Sequence, residues 1–150
     1  MKTNFFILAI AASLLFACKG NEDDQPITPS NADFVGTVSV TYQGEPFDNE
    51  DIEVNFTPSE DGRTASLIIY KIRFVPQMPV TIDVTIPDIN VSVTGNVLTL
   101  TKDTVIPLAM GGEYPRYTVT GLNGKIEGEE LVFSLNFGDY PTSFSGKRKP

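Results

Sequence analysis

From Phe34 to the C-terminus the chain is written in period two, and this constrains its fold more than any other feature. Val38, Val40 and Tyr42 alternate with Thr37, Ser39 and Thr41, and Ile52, Val54 and Phe56 alternate with Glu53, Asn55 and Thr57. Val80, Ile82, Val84 and Ile86 alternate with Thr81, Asp83 and Thr85, and Leu131, Phe133, Leu135 and Phe137 with Val132, Ser134 and Asn136. Side chains of a strand point to opposite faces in turn, so each run predicts a strand with one face in a core and the other in water. Turn residues divide the runs: Gln43-Gly44-Glu45-Pro46, Glu60-Asp61-Gly62, Gly95-Asn96, Glu127-Gly128-Glu129 and Gly138-Asp139-Tyr140-Pro141. The pattern predicts an all-β domain of eight or nine strands without a helix.

The short links favour a single antiparallel up-and-down barrel, which leaves no free edge. A Greek-key sandwich requires long crossings, and only 102–114 is long enough for one. Within that stretch Val105–Leu108 is itself a candidate strand, and Gly121 and Gly124 are candidate corners of a barrel.

The N-terminus reads differently. Phe5–Ala17 is apolar apart from Ser13 and follows the single cation Lys2. As a helix it would rise about 20 Å, short of a ~30 Å hydrocarbon core, and its apolar residues show no helical stripe. This is the pattern of a secretory signal. Its end, Leu15-Phe16-Ala17-Cys18, resembles the lipobox of bacterial lipoproteins, which implies cleavage before Cys18 and a diacylglycerol thioether on its sulfur. Cys18 is the only cysteine of the chain, so no disulfide is expected, and two or more acyl chains suffice for stable anchoring. No later apolar run reaches ~18 residues, so no spanning helix is expected.

Residues 19–33 hold two prolines and four acids and cannot bury enough surface to order themselves, which predicts a tether. The Glu22-Asp23-Asp24 run resembles the surface-export signal of Bacteroidetes lipoproteins and implies an outer-membrane, cell-surface location; the alternative is a solvated spacer. The expected organisation is thus a signal peptide over 1–17, an acylated cysteine and acidic tether over 18–33, and a barrel domain over 34–150.

Composition excludes several kinds of chemistry. Loss of Lys2 with the signal takes the formal charge from −8 to −9, which disfavours nucleic acid and other polyphosphates. The one basic run, Lys147-Arg148-Lys149, sits at the chain end, where it keeps that end solvated. With no histidine, Ser–His and Cys–His catalysis and the usual zinc sites are absent. With no tryptophan, the usual platform for stacking on a sugar is missing. The expectation is a non-enzymatic domain with no catalytic residue, cofactor or metal.

The strand and turn pattern resembles the calycin-like β-barrel lipoproteins of gut Bacteroidetes over about residues 34–147. The likeness is carried by Gly36-Thr37-Val38-Ser39-Val40, Gly121-Leu122-Asn123-Gly124-Lys125-Ile126, the strand Leu131–Phe137 and the closing Ser143-Phe144-Ser145-Gly146. It implies a lipocalin-like barrel without an established activity; the lipocalin G-x-W opening is absent.

Candidate sites are few. Phe56, Phe74, Tyr117, Phe133 and Phe137 are the expected interior aromatics, lining a ligand cavity or filling a core, since an eight-stranded barrel can do either. Asp48-Asn49-Glu50-Asp51, with Glu53, offers oxygens to calcium but lacks the spacing of an EF-hand loop, so a solvated turn is expected. Glu60-Asp61 and Glu129-Glu130 flank glycine turns and read as hairpin tips, too wet for a glycosidase pair. Asp103-Thr104-Val105 matches a three-residue O-glycosylation pattern of Bacteroidetes exported proteins and places Thr104 in an exposed link. Together these features predict a lipid-anchored barrel that binds a small apolar molecule or a protein partner. The alternative is a β-sandwich with a structural or glycan-capture role in an outer-membrane assembly.

Overall fold

The computed structural model describes residues 27–150; Cys18, Glu22, Asp23 and Asp24 lie outside them. Among the described residues ten strands form in chain order: β1 (Ala32–Tyr42), β2 (Glu45–Pro58), β3 (Thr64–Ile72), β4 (Ile82–Thr94), β5 (Val97–Val105), β6 (Leu108–Ala109), β7 (Gly112–Glu113), β8 (Val119–Glu127), β9 (Glu130–Phe137) and β10 (Tyr140–Arg148). A 3-10 turn, Pro115–Tyr117, precedes β8. The sheet order β3-β2-β1-β10-β9-β8-β5-β4 is closed by pairing of β3 with β4, and every pairing is antiparallel. The result is an eight-stranded up-and-down barrel, as the short turns require. Among the described residues no helix is long and apolar enough to cross a membrane.

The two extra strands occupy the stretch that could have been a sandwich crossing. Residues 102–105 complete β5 against β8, through Val105↔Val119, while β4 pairs with β5 only as far as Asn90↔Thr101. β6 then returns to β4 at Thr85↔Leu108 and turns into β7 through Met110-Gly111. The β6–β7 hairpin therefore fills the place where β5 has left its neighbour.

Period two fixes what faces inward. Phe34, Val38 and Val40 of β1, Val54 and Phe56 of β2, and Leu131, Phe133, Leu135 and Phe137 of β9 are all buried in one core cluster. Val80 departs from its expected place: it precedes β4, is 61% exposed and does not join the core. The strand that it would have continued begins at Ile82, and Val80 and Thr81 belong to the loop that precedes it.

Closure needs curvature, and four bulges supply it. Each puts a residue into the left-handed region: Asp51 in β2 (φ 55°), Lys71 in β3 (58°), Asp88 in β4 (55°) and Gly121 in β8 (63°). Asp48–Asp51 is thus no turn, contrary to expectation; it lies inside β2, whose turn with β1 is at Gln43-Gly44. Gly124 serves packing instead. A Cβ there would lie 2.5 Å from that of its cross-strand partner Phe133, so the side-chain-free position accommodates that ring, which stacks on Phe144 at 5.3 Å.

The ends of the barrel differ. At the entry end, the turns β2–β3, β4–β5 and β8–β9 are short, and residues 27–33 lie against the barrel although a free tether was expected. The Ile27 N–H donates to the Gly95 carbonyl at 3.1 Å, Asn31 donates to Thr57 at 3.1 Å, and β1 already begins at Ala32. The basic C-terminus joins this end: Lys149 pairs with Glu53 at 2.7 Å, and the Arg148 guanidinium lies 5.2 Å from the Phe34 ring centre. The far end carries the loop 73–81, the β6–β7 hairpin and the 3-10 turn.

Candidate functional site

Two places on the molecule combine shape with chemistry: the far-end mouth and the outer wall. At the mouth Phe74 leaves β3 on the loop 73–81 and turns its ring fully into the barrel. Asn49 of β2 fixes the base of that loop. Its Nδ2 donates to the Arg73 carbonyl at 3.1 Å, and its Oδ1 accepts from the Arg73 N–H at 2.9 Å. The same Nδ2 also reaches the Val38 carbonyl at 3.4 Å. A buried amide is thus satisfied by serving as a bridge between strand and loop.

Around Phe74 stand rings from other elements. Tyr117 stacks on it at 4.1 Å and 12°, Phe137 meets it edge-on at 5.0 Å, and Tyr140 lies 6.5 Å away. Tyr114 stacks in turn on Tyr117 at 5.2 Å, and Tyr42 stands 6.3 Å from Tyr140. The edge-on contact of Phe137 suits the ring quadrupole, positive edge to negative face. Pro115 opens the 3-10 turn that delivers Tyr117, and Gly138 lets the β9–β10 turn approach that turn closely. A Cβ on Gly138 would lie 2.6 Å from the Arg116 carbonyl oxygen. Burial pushes the Tyr117 phenol above its ordinary pKa, against the pull of the Arg116 guanidinium.

Phe74, Tyr117 and Phe137 therefore come together, while Phe56 and Phe133 sit elsewhere in the same core. Side chains occupy the barrel interior, Phe34, Phe56, Phe74 and Phe137 being its largest fully buried members.

The outer wall has a groove of about 940 Å³ across β1, β10, β9, β8 and β5, reaching Asp48 of β2. Register explains its chemistry. One rung reads Asp48, Ser39, Ser143, Ser134 and Asn123; the next reads Thr37, Ser145, Val132, Lys125 and Thr99. Hydroxyl and amide side chains thus adjoin one another over neighbouring strands, with Val132 the one apolar side chain and Asp48 and Lys125 the only charges among these ten positions, while the groove's exposed lining is mainly carbon. Alternation marked these positions as wet; only knowledge of which strands adjoin reveals that they align. Asn49 left a fainter signal, an amide at an inward-facing position.

The remaining candidates are dispersed. Thr104 is exposed, but it lies in β5 opposite Thr120 and not in a link as expected. Glu60-Asp61 forms the β2–β3 tip, Glu129 belongs to the β8–β9 turn, and Glu130 opens β9. Among the described residues no three His, Cys, Asp or Glu side chains are grouped to hold a metal ion. Comparison with known proteins finds no matching family model, no matching curated protein and no matching solved structure.

Proposed function

We propose that this chain is a lipid-anchored, non-enzymatic binding protein of the outer membrane, exposed at the cell surface, which engages a protein partner through the groove on its outer wall. The observation that carries this reading is the contrast between a core filled with side chains and a groove of about 940 Å³ outside it. A carrier of long apolar molecules needs an open cup, whereas a packed core serves as a rigid support for an external surface. The rungs offer hydroxyl and amide groups with little charge, suited to the backbone and polar side chains of a peptide. Their outward positions hold no aromatic ring on which a sugar could stack. A tether from Cys18 would reach the barrel at the entry end, since Ile27 is bound there. The outer wall and far end would then remain accessible to a partner.

A photo-crosslinking residue tests this reading in whole cells. Placed at Ser134 in the groove, it should yield a discrete protein adduct; placed at Ser66 on β3, across the barrel, it should not. Equal labelling from both positions, or stoichiometric binding of a fluorescent long-chain fatty acid by the purified wild type, would overturn it.

A further inference from the structure

We propose that the far-end mouth is a binding site for a planar aromatic or conjugated ring, which the protein's own Phe74 occupies in cis. Among residues 73–81 only Phe74 is fully buried; Val75 and Met78 are half-buried against the core, and Arg73, Pro76, Gln77, Pro79, Val80 and Thr81 are exposed. Its ring is held as a guest would be, face-on by Tyr117 at 4.1 Å and edge-on by Phe137 at 5.0 Å. These hosts belong to the 3-10 turn and β9, not to the loop that carries Phe74. The guest is tied to the wall by few bonds. Asn49 exchanges two hydrogen bonds with Arg73, and the Phe74 N–H has the Met78 sulfur, a weak acceptor, at 3.4 Å.

Outward movement of 73–81 would expose an apolar, ring-shaped vacancy. Such a vacancy is costly in water and readily filled by a small aromatic molecule. An incoming ring restores the stacking and burial that Phe74 gives up, leaving the loop's hydrogen bonds, the packing of Val75 and Met78 against the core and the ligand's lost freedom to offset. An aliphatic molecule of equal size recovers burial but no stacking, which sets the ligand class. The site takes one ring at the mouth, so it differs from carriage of a long chain through the interior and is independent of docking on the outer wall.

The chain has no tryptophan, so fluorescence of added indole is separable from that of the protein. Four full-length proteins decide the matter: wild type, Phe74→Ala, Asn49→Ala, and a Pro76→Gly/Pro79→Gly double variant that loosens the loop without touching the mouth. Phe74→Ala should bind indole saturably at one site, on the order of 10–100-fold more tightly than wild type, because apparent affinity scales with the open fraction. Asn49→Ala and the double glycine variant should lie between. Cyclohexanol should compete poorly in every case. Wild-type affinity in both loop variants would overturn the proposal, since Phe74→Ala would then have made only an artificial cavity. Equal competition by cyclohexanol, or no binding by a Phe74→Ala protein of native circular dichroism, would overturn it too. If Phe74→Ala does not fold, the two loop variants decide alone.

Discussion

At the entry end the chain is closed by short turns, by residues 27–33 laid against the barrel and by the charged side chains of Arg148 and Lys149. At the far end it is closed by rings carried on longer connections. The three ion pairs of the described residues, Lys125–Glu127, Arg148–Glu129 and Lys149–Glu53, all lie toward the entry end. The stacked rings of Tyr114, Tyr117 and Phe74 lie at the other. Backbone closure leaves little to rearrange, whereas an end closed by a side chain on a loop can open without unpairing a wall strand. The difference separates the part of the molecule that supports from the part that can respond.

Core truncations should break the molecule most severely, and unequally. Phe34 lies on β1 between two wall strands, and Phe133 is packed over Gly124 and against Phe144. Phe34→Ala and Phe133→Ala should each cost about 3–5 kcal/mol in a denaturant melt, as a cavity in a wall that cannot collapse does. Phe74→Ala should cost less, toward the lower end of that range, because the vacancy lies under a loop at the mouth, where solvent can enter, and not inside the wall. Equal losses at all three positions would erase the distinction between a rigid wall and a yielding mouth.

Much of that wall was legible. Leu131, Phe133, Leu135 and Phe137 fall at every second position and are the buried residues of β9, and glycine marks the β1–β2, β4–β5, β8–β9 and β9–β10 turns. The bulges were not legible in the same way. Asp51 and Lys71 adopt left-handed φ although neither residue type demands it, because closure of the barrel and not local preference selects the site. Pro87-Asp88 had a local signal, a missing donor in mid-strand, and Gly121 was a candidate corner. The mouth stayed hidden for a different reason. Phe74, Tyr117 and Phe137 meet only when a loop, a 3-10 turn and a strand end converge, and no periodicity records such a meeting. Lys102–Val105 shows the opposite error: its polar composition suggests a link, yet pairing with β8 makes it strand.

Two smaller substitutions sharpen the comparison. Asn49→Ala removes both partners of the Arg73 backbone and should cost about 1–3 kcal/mol, the usual penalty for leaving such groups unpaired. Amide exchange should quicken across residues 73–81 and remain unchanged at the β8–β9 turn; uniform acceleration would mean that Asn49 supports the whole barrel. Gly138→Ala adds a Cβ against the Arg116 carbonyl at φ 58° and should also cost about 1–3 kcal/mol. Its effect should appear as a change in near-ultraviolet tyrosine dichroism, since it displaces the turn that carries Tyr117.

The smallest effects are electrostatic, and they distinguish the ends by salt. At the entry end the hydrogen bond from Lys149 to Glu53 raises the ammonium pKa above its ordinary value of 10.5. At the far end burial raises that of the Tyr117 phenol above 10.0. Both folded values lie above the unfolded ones, so both contributions are fully present below the ordinary pKa and are lost as pH rises through the folded one. Stability should therefore be flat with respect to these groups at neutral pH and decline in the alkaline range. The Lys149 part arises between exposed charges and should vanish in high salt. The Tyr117 part reflects desolvation and should persist there. Melts of wild type, Lys149→Met and Tyr117→Phe across the alkaline range, at low and high salt, separate the two. Tyr117→Phe should abolish the salt-resistant decline and leave the salt-sensitive one. If it abolished neither, the alkaline response would belong entirely to the charged entry end, and the mouth would carry no titrating group of consequence.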